Sequence, residues 1–206
     1  MEAYQTVSGT ATASFTEKRS EFIATVSFVE TEQAALAFLN DVRAKHRAAN
    51  HNVYAYALRD GARMRYSDDG EPAKTAGLPT LEVLRHAKVV DCIIVTTRYF
   101  GGVLLGTGGL VRAYTAAAQR ALGAAGIVSV SVCVRGTLRV PYALYEQASK
   151  LAQDCGAQLE QAQFAGEVTL PFVMLFGTEP PLLQAMQELC RGNADITLSK
   201  PYYAPF

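Results

Sequence analysis

Hydrophobic and polar residues alternate along the first part of the chain in a way that predicts paired strands followed by a helix. Residues 10–15 and 21–29 are rich in Thr, Val, Phe and Ile with partial alternation, and the polar residues 17–20 between them predict a β-hairpin. Thr31 then has the side chain of a helix N-cap. Up to about residue 45, apolar residues recur at helical spacing and predict a buried helix face that comprises Ala35, Leu36, Leu39 and Val42.

The next segment predicts a second hairpin and a long loop. Residues 53–58 and 62–67 have strand composition, and Asp60-Gly61 between them is a strong signal for a two-residue turn. Residues 67–79 contain two prolines and no apolar periodicity, which predicts a long loop of the kind that often carries function. A short helix is predicted over residues 80–87.

A buried strand, a glycine-rich turn and a helix form the centre of the chain. The apolar run at residues 92–95 leads into Gly101, Gly102, Gly106, Gly108 and Gly109, and an alanine-rich helix is predicted over residues 110–125. Glycines permit positive φ and close backbone approach, and a helix N-terminus presents unpaired N–H groups to anions.

This pattern predicts an anion site flanked by Arg98 and Arg112. It is not a Walker loop, because Thr107 and Gly108 stand where Lys and Ser or Thr are required. The alternative is that the glycines simply let strand and helix pack closely.

The remaining residues predict a second domain. We place the boundary near residues 126–136. The strands at residues 131–140, 158–164, 168–175 and 195–200 and the helices at 142–154 and 180–191 give the order β-α-β-β-α-β. That order is typical of the split-βαβ, ferredoxin-like fold. We therefore expect an α+β protein with domains at residues 1–130 and 131–206.

Composition narrows the function classes. The formal net charge is zero, so any nucleic-acid surface must be a local basic patch. The four cysteines are far apart, which indicates free thiols in a reducing compartment and disfavours a zinc site. There is neither a signal-peptide pattern nor an apolar run of the roughly 20 residues that a membrane helix needs. We expect a cytoplasmic protein with no membrane partner.

Two sets of polar residues in the long loop are candidates for a site. Asp68, Asp69 and Glu71 are carboxylates of the kind that bind a hard cation such as Mg²⁺, although Asp beside Gly is also common turn chemistry, which the sequence favours. Thr75, with Lys74, joins Arg98 and Arg112 in an oxyanion pocket if the loop folds over the glycine turn.

Histidine and aromatic residues add further hypotheses. His51 is placed between a helix and a strand, where it can serve as a general base in a cleft or simply form a hydrogen bond. No serine or cysteine is visibly paired with a histidine, so we assign no catalytic residue. Tyr99, Phe100, Tyr54 and Tyr56 are candidates for stacking on bases, or for the core.

Five segments in fixed order closely resemble the IMPACT family, including its bacterial YigZ-type members. They are KRSEFI at residues 18–23, NHNVYAY at 50–56, SDDGEP at 67–72, TAGLP at 75–79 and RYFGGVLLGTGGLVRAY at 98–114. The resemblance spans roughly residues 14–125. This chain departs from the family pattern at Val53, where a cysteine is frequent, and at Lys74, where a small residue is common.

The resemblance implies a fold and a biological setting. The N-terminal domain is expected to be similar to the second domain of ribosomal protein S5, with a left-handed β-α-β crossover. The C-terminal domain is expected to be similar to the ferredoxin-like last domain of elongation factor G. Eukaryotic relatives restrain the activation of a starvation-responsive initiation-factor kinase, using an additional N-terminal domain in that role.

Three functional hypotheses follow. The first is a non-enzymatic, translation-linked protein that binds RNA, the ribosome or a translation factor through the 67–79 loop, Arg98 and the glycine turn. The second is an enzyme or binding protein for a phosphorylated small molecule or nucleotide. The third is a module that docks a partner through its C-terminal domain. The absence of a recognisable catalytic set favours the first over an enzyme.

Overall fold

The structure is a computed structural model that describes residues 2–206, and it divides the chain into two compact units. One unit comprises Tyr4–Val128, and the other comprises Ser129–Phe206 with Glu2 and Ala3. Both contain helices and strands, so the chain has the mixed α+β class predicted from its sequence. None of the helices within residues 2–206 is both long and apolar enough to span a bilayer.

The elements follow one another closely along the chain. In the first unit they are β1 (Tyr4–Val7), β2 (Ala11–Glu17), β3 (Ser20–Phe28), α1 (Glu32–Lys45), β4 (His51–Leu58), β5 (Arg63–Ser67), α2 (Gly77–His86), β6 (Cys92–Tyr99) and α3 (Thr107–Ala125). Strand β7 (Ile127–Val140) runs from the first unit into the second. There it is followed by α4 (Tyr145–Asp154), β8 (Gln158–Leu159), β9 (Gln163–Phe164), β10 (Val168–Leu175), α5 (Pro180–Leu189), β11 (Asp195–Leu198) and β12 (Tyr202–Pro205).

The first unit is built on an antiparallel sheet with the strand order β2-β3-β6-β4-β5. The central strand β6 is buried on both faces, which explains why its residues 92–95 are continuously apolar instead of alternating. Its side chains alternate between two cores. Cys92 and Ile94 pack in the core that contains α2 and α3, whereas Ile93 and Val95 pack in the core that contains α1.

Several predicted elements are confirmed. The β2–β3 hairpin turns through Lys18 and Arg19, whose φ angles are 44° and 68°. The Oγ1 atom of Thr31 accepts a hydrogen bond of 3.1 Å from the Ala34 N–H, so Thr31 caps α1. The apolar face of α1 needs one correction, because Leu36 is 41% exposed.

The second hairpin and the two later helices differ from the prediction. Four residues, 59–62, connect β4 to β5 in a short 3-10 turn in which Gly61 and Ala62 have positive φ, so the predicted two-residue turn was wrong. Helix α2 begins at Gly77 instead of residue 80, and α3 begins at Thr107 instead of residue 110. The glycines at 108 and 109 are therefore helical.

The second unit is an antiparallel sheet in which β7 lies between β10 and β11, and β10 pairs on its other side with β8. Helices α4 and α5 contribute Ala148, Ala152, Leu182 and Met186 to its core. The predicted strand at residues 158–164 is two short strands, and β12, which pairs with β7, was not predicted. Gly136 is required because a Cβ there would lie 2.0 Å from the Phe172 ring.

All four cysteines are free thiols, as predicted. Cys92 and Cys133 are buried, and Cys155 and Cys190 are half-buried. Burial raises the pKa of the Cys92 thiol to about 12.

Candidate functional site

The loop between β5 and α2 is closed by the carboxylate of Asp68. Its Oδ1 accepts hydrogen bonds from the N–H groups of Ala76 (3.0 Å) and Gly77 (2.8 Å), and its Oδ2 accepts one from Lys74 (2.8 Å). Asp68 therefore caps the start of α2 from nine residues upstream. This is the turn chemistry that was one of the two alternatives for this residue.

Asp69 fastens the same loop to the rest of the unit. Its Oδ1 accepts a hydrogen bond from Arg43 Nη2 (2.8 Å), and its Oδ2 accepts one from the Asn52 N–H (2.6 Å). Among residues 2–206, no three His, Cys, Asp or Glu side chains are grouped in a way that suits a metal ion. The carboxylates of Asp68 and Asp69 thus accept the hydrogen bonds that close the loop, and the cation site with Glu71 stays a prediction.

Glu71 points into the unit and forms a buried ion pair with Arg98. The Glu71 Oε1 atom accepts hydrogen bonds from Arg98 Nη1 (2.6 Å) and from the Tyr114 hydroxyl (2.7 Å), and the side chains of Glu71 and Arg98 are 4% and 5% exposed. Arg98 Nη2 also donates to Ser20 Oγ (3.2 Å). The charge of Arg98 is thus balanced within the protein. Burial, and then the Glu71 carboxylate, raise the pKa of Tyr114 well above its usual value.

His51 lies beside this ion pair with one ring nitrogen already engaged. Its Nδ1 donates a hydrogen bond of 2.9 Å to the carbonyl oxygen of Asp69, which fixes the tautomer with the proton on Nδ1. Its Nε2 is 3.7 Å from Glu71 Oε1.

The glycine segment divides into packing glycines and turn glycines. A Cβ at Gly101 would lie 2.0 Å from the carbonyl oxygen of Arg19, and the Gly101 N–H donates to Ser20 Oγ (3.2 Å). Gly101 therefore allows the backbone to pack closely, which was the alternative to an anion site. Gly102 and Gly106 have φ angles of 80° and 73°, which place them in turns that favour glycine.

The first turn of α3 is left open. Its N-cap is Gly106, which has no side chain to accept a hydrogen bond, and no acidic residue lies in that turn. The N–H groups of Thr107, Gly108 and Gly109 precede the first intrahelical hydrogen bond, which runs from the Leu110 N–H to the Gly106 carbonyl oxygen.

The 67–79 loop, the start of β4, the end of β6 and the glycine segment contribute residues to a cavity of about 400 Å³, which we call the Glu71 cavity. Its lining includes both polar and apolar side chains, among them Leu104, which is 82% exposed. The lining residues are Asn50, His51, Glu71, Pro72, Arg98, Phe100, Leu104, Leu105, Gly106, Thr107 and Leu110. This lining offers polar and apolar binding groups, and among the described residues it holds no serine, cysteine or lysine.

A second depression of about 450 Å³ lies between the β2–β3 turn and α3, and we call it the basic groove. Lys18, Arg112 and Arg120 line it and are exposed, and none of them forms an ion pair with another residue in the described range 2–206. Glu17 is its one acidic lining residue. Arg112 and Arg120 are eight residues apart on α3 and lie on one stripe, about 12 Å apart along the helix axis. The Arg120 guanidinium is held 4.4 Å from the centre of the Phe15 ring.

The predicted anion-binding residues are thus distributed over different surfaces. Arg98 and Thr107 line the Glu71 cavity, whereas Gly109 and Arg112 line the basic groove. Thr75 is buried, and its hydroxyl donates to the Pro72 carbonyl oxygen (2.6 Å). Lys74 lines a separate apolar depression between α2 and α3.

Sequence reasoning did not select Lys18, Arg120 or Tyr114. The spacing of Arg112 and Arg120 on a predicted helix was the available signal for the groove. Of the aromatic candidates for stacking on bases, Phe100 lines the Glu71 cavity, and the Tyr99 hydroxyl is hydrogen-bonded to His46 Nδ1 (2.9 Å). Tyr54 and Tyr56 stack on each other in contact with the α1 core.

Comparison with known proteins identifies relatives over most of the chain. Residues 18–122 match the Impact N-terminal domain. The IMPACT family member YigZ of Escherichia coli is 34% identical over 182 residues, which cover 87% of this chain and 89% of that protein. The IMPACT family member YvyE of Bacillus subtilis is 40% identical over 129 residues, which cover 62% of this chain and 59% of that protein.

A solved structure is similar over both units. It is described only as that of a hypothetical protein, is 29% identical in sequence, and aligns with a TM-score of 0.62 over 97% of this chain and 98% of its own.

Proposed function

Because this chain belongs to the IMPACT family, we propose that it is a translation-linked protein that binds RNA, on the ribosome or free, through its basic groove. The family resemblance seen in the sequence supplies the link to translation, and the groove supplies a surface suited to phosphates. The role is one of binding and regulation in the cytoplasm.

The observation that carries the proposal is the set of uncompensated cations in one groove. Lys18, Arg112 and Arg120 contribute three positive charges against the single negative charge of Glu17. In a chain with zero net charge, this local positive excess is the electrostatic feature expected of a phosphate-binding surface. Phosphate contacts by Arg and Lys supply most sequence-independent affinity for nucleic acids.

The role of Arg98 differs from the one first expected. Its guanidinium is buried and paired with Glu71, so it adds no exposed positive charge to a surface for the polynucleotide backbone. Its partner Glu71 orders the SDDGEP loop, which in turn lies against the residues that begin α3. We therefore assign RNA contact to Arg112 and Arg120, and a positioning role to Arg98.

The fold assignments implied by the family resemblance form part of this proposal. We propose that the first unit is similar to the second domain of ribosomal protein S5 and that the second unit is ferredoxin-like. The strand order β11-β7-β10-β8, with two helices in the connections, is consistent with a β-α-β-β-α-β fold. Both likenesses are to proteins of the translation apparatus.

A filter-binding titration with structured RNA and with ribosomes tests the proposal. We expect salt-sensitive binding by the unaltered protein and a loss of about tenfold or more in the Arg112→Ala, Arg120→Ala double variant at low salt. The matched control is Arg63→Ala, Arg65→Ala, which also removes two exposed cations of the first unit but leaves the groove intact. Equal losses in both variants, or no binding at low salt, would refute the proposal.

A further inference from the structure

We propose that the Glu71 cavity is a separate site for an organic phosphate monoester, with the phosphate on the first turn of α3 and the organic body against the apolar wall. Two kinds of ligand carry such a phosphate monoester: a free small molecule of the nucleotide class and the phosphorylated 5′ end of an RNA. The inference does not depend on whether the basic groove binds RNA.

The open N-terminus of α3 is the first observation. This helix has 19 residues, its N-cap is a glycine without a capping side chain, and it has no acid in its first turn. Most helices satisfy these N–H groups with Ser, Thr, Asp or Asn at the cap and favour acids nearby. Here the N–H groups of Thr107, Gly108 and Gly109 stay available at the positive end of the helix. A bound anion would accept their hydrogen bonds and also balance the positive end of the helix dipole.

An unpaired donor of Arg98 in the wall of the same cavity is the second, independent observation. Arg98 is 4% exposed, and its Nη1 and Nη2 atoms are engaged by Glu71 and Ser20. Its Nε is buried and has no hydrogen-bond partner. A buried N–H of a charged group left unsatisfied is costly, so a ligand oxygen is the expected partner.

Glu71 does not prevent an anion from entering, because its charge is already compensated. Its Oε1 accepts hydrogen bonds from Arg98 and Tyr114 at 2.6 and 2.7 Å. The donors that remain are the three N–H groups of the helix, the Thr107 hydroxyl and Arg98 Nε. Five donors suit the three terminal oxygens of a phosphate monoester better than the two oxygens of a carboxylate.

The size and apolar wall of the cavity indicate that the phosphate carries an organic body. About 400 Å³ is within the range of small-molecule sites and far exceeds what a lone phosphate fills. Phe100 and Leu104 are 42% and 82% exposed at the rim, and Leu110 lies deeper. A planar or apolar body in contact with them removes this surface from water.

Amide chemical shifts of the full-length protein test the proposal with four probes. These are phenyl phosphate, adenosine 5′-monophosphate, inorganic phosphate and a short oligoribonucleotide with either a 5′-phosphate or a 5′-hydroxyl. We expect saturable shifts at Gly106 and Thr107, which line the Glu71 cavity and not the basic groove, with an organic monoester, and at least about tenfold weaker binding of inorganic phosphate. Shifts with the 5′-phosphorylated oligonucleotide alone support the same chemistry and assign the source to RNA ends.

Thr107→Asp and Thr107→Asn are the decisive pair, because Thr107 is exposed and both residues suit the first turn of a helix. We expect the aspartate to weaken monoester binding about tenfold or more by repelling the anion, while the asparagine retains it within about threefold. Neither change touches Lys18, Arg112 or Arg120, so RNA binding by the groove would persist.

Three results would overturn the proposal. One is the absence of shifts with every probe at millimolar concentration. Another is equal binding by the two Thr107 variants. The third is a set of shifts confined to Lys18, Arg112 and Arg120, which would place the phosphate in the basic groove and leave the cavity without a ligand.

Discussion

Replacing Glu71 by glutamine removes the negative charge that balances Arg98 while keeping the shape of the side chain. The two groups are 2.6 Å apart, and their side chains are 4% and 5% exposed, so neither is screened by solvent. Removing one partner of a buried pair leaves an uncompensated charge and typically costs about 3–5 kcal/mol. We expect Glu71→Gln to lower the free energy of unfolding of the first unit by an amount in that range.

Tyr114→Phe is the matched comparison within the same network. It deletes the 2.7 Å hydrogen bond to Glu71 Oε1 but leaves the ion pair intact. A hydrogen bond to a charged acceptor contributes about 1.5–3 kcal/mol. Loss of the Glu71 charge should therefore lower the free energy of unfolding more than loss of the Tyr114 hydroxyl does.

Native-state hydrogen exchange is the suitable assay, because the chain has two units that need not unfold together. The slowest amides of β6 and α3 report the free energy of opening of the first unit alone. If Glu71→Gln lowers that free energy by no more than Tyr114→Phe does, the ion pair is not a principal support of the unit and this reasoning is wrong.

Three further predictions concern the backbone and the titration of the first unit. Gly101→Ala should destabilise the first unit by about 1–3 kcal/mol, because its Cβ would lie 2.0 Å from a backbone oxygen. Gly123→Ala, with open space around it in α3, should stabilise the unit by about 0.5–1 kcal/mol. Thermal unfolding compares the two variants, and a change of stability with the same sign in both contradicts the account. Asp68→Ala should cost about 0.5–2 kcal/mol and speed amide exchange at residues 74, 76 and 77, and unchanged exchange there would rule out the cap. Burial raises the pKa of the Cys92 thiol from 9.0 to about 12, so the stability that the neutral thiol contributes below pH 9 should fall as the pH rises toward 12. Cys92→Ala should therefore flatten the dependence of the urea midpoint on pH. Identical slopes in the variant and the unaltered protein would show that the thiol does not contribute.

Local signals in the sequence were sufficient for the elements whose ends depend on nearby residues. The Thr31 cap lies three residues from the N–H that it binds, and the β2–β3 turn is two residues long. The start of α2 was misplaced because its cap, Asp68, lies on the far side of a loop that carries no periodic pattern. The start of α3 was misplaced because two glycines, normally poor helix formers, occupy its first turn.

The sequence singled out candidate site residues but did not predict how they are arranged. Glu71 and Arg98 are 27 residues apart, and only the fold shows that the loop carboxylate neutralises the arginine. Arg98 and Arg112 flank the same glycine segment in the sequence, yet β6 ends in the cavity while the stripe of α3 that carries Arg112 faces the groove. Position in a motif does not specify which side of a helix a residue occupies.

The most direct test of the central claim is the dependence of RNA affinity on salt. For the unaltered protein, the logarithm of the association constant should fall steeply with the logarithm of the salt concentration. Loss of Arg112 and Arg120 should reduce that slope by about 1.4–1.8, which corresponds to two phosphate contacts. A slope that is the same in the double variant and in the unaltered protein would contradict the assignment of RNA phosphates to the basic groove.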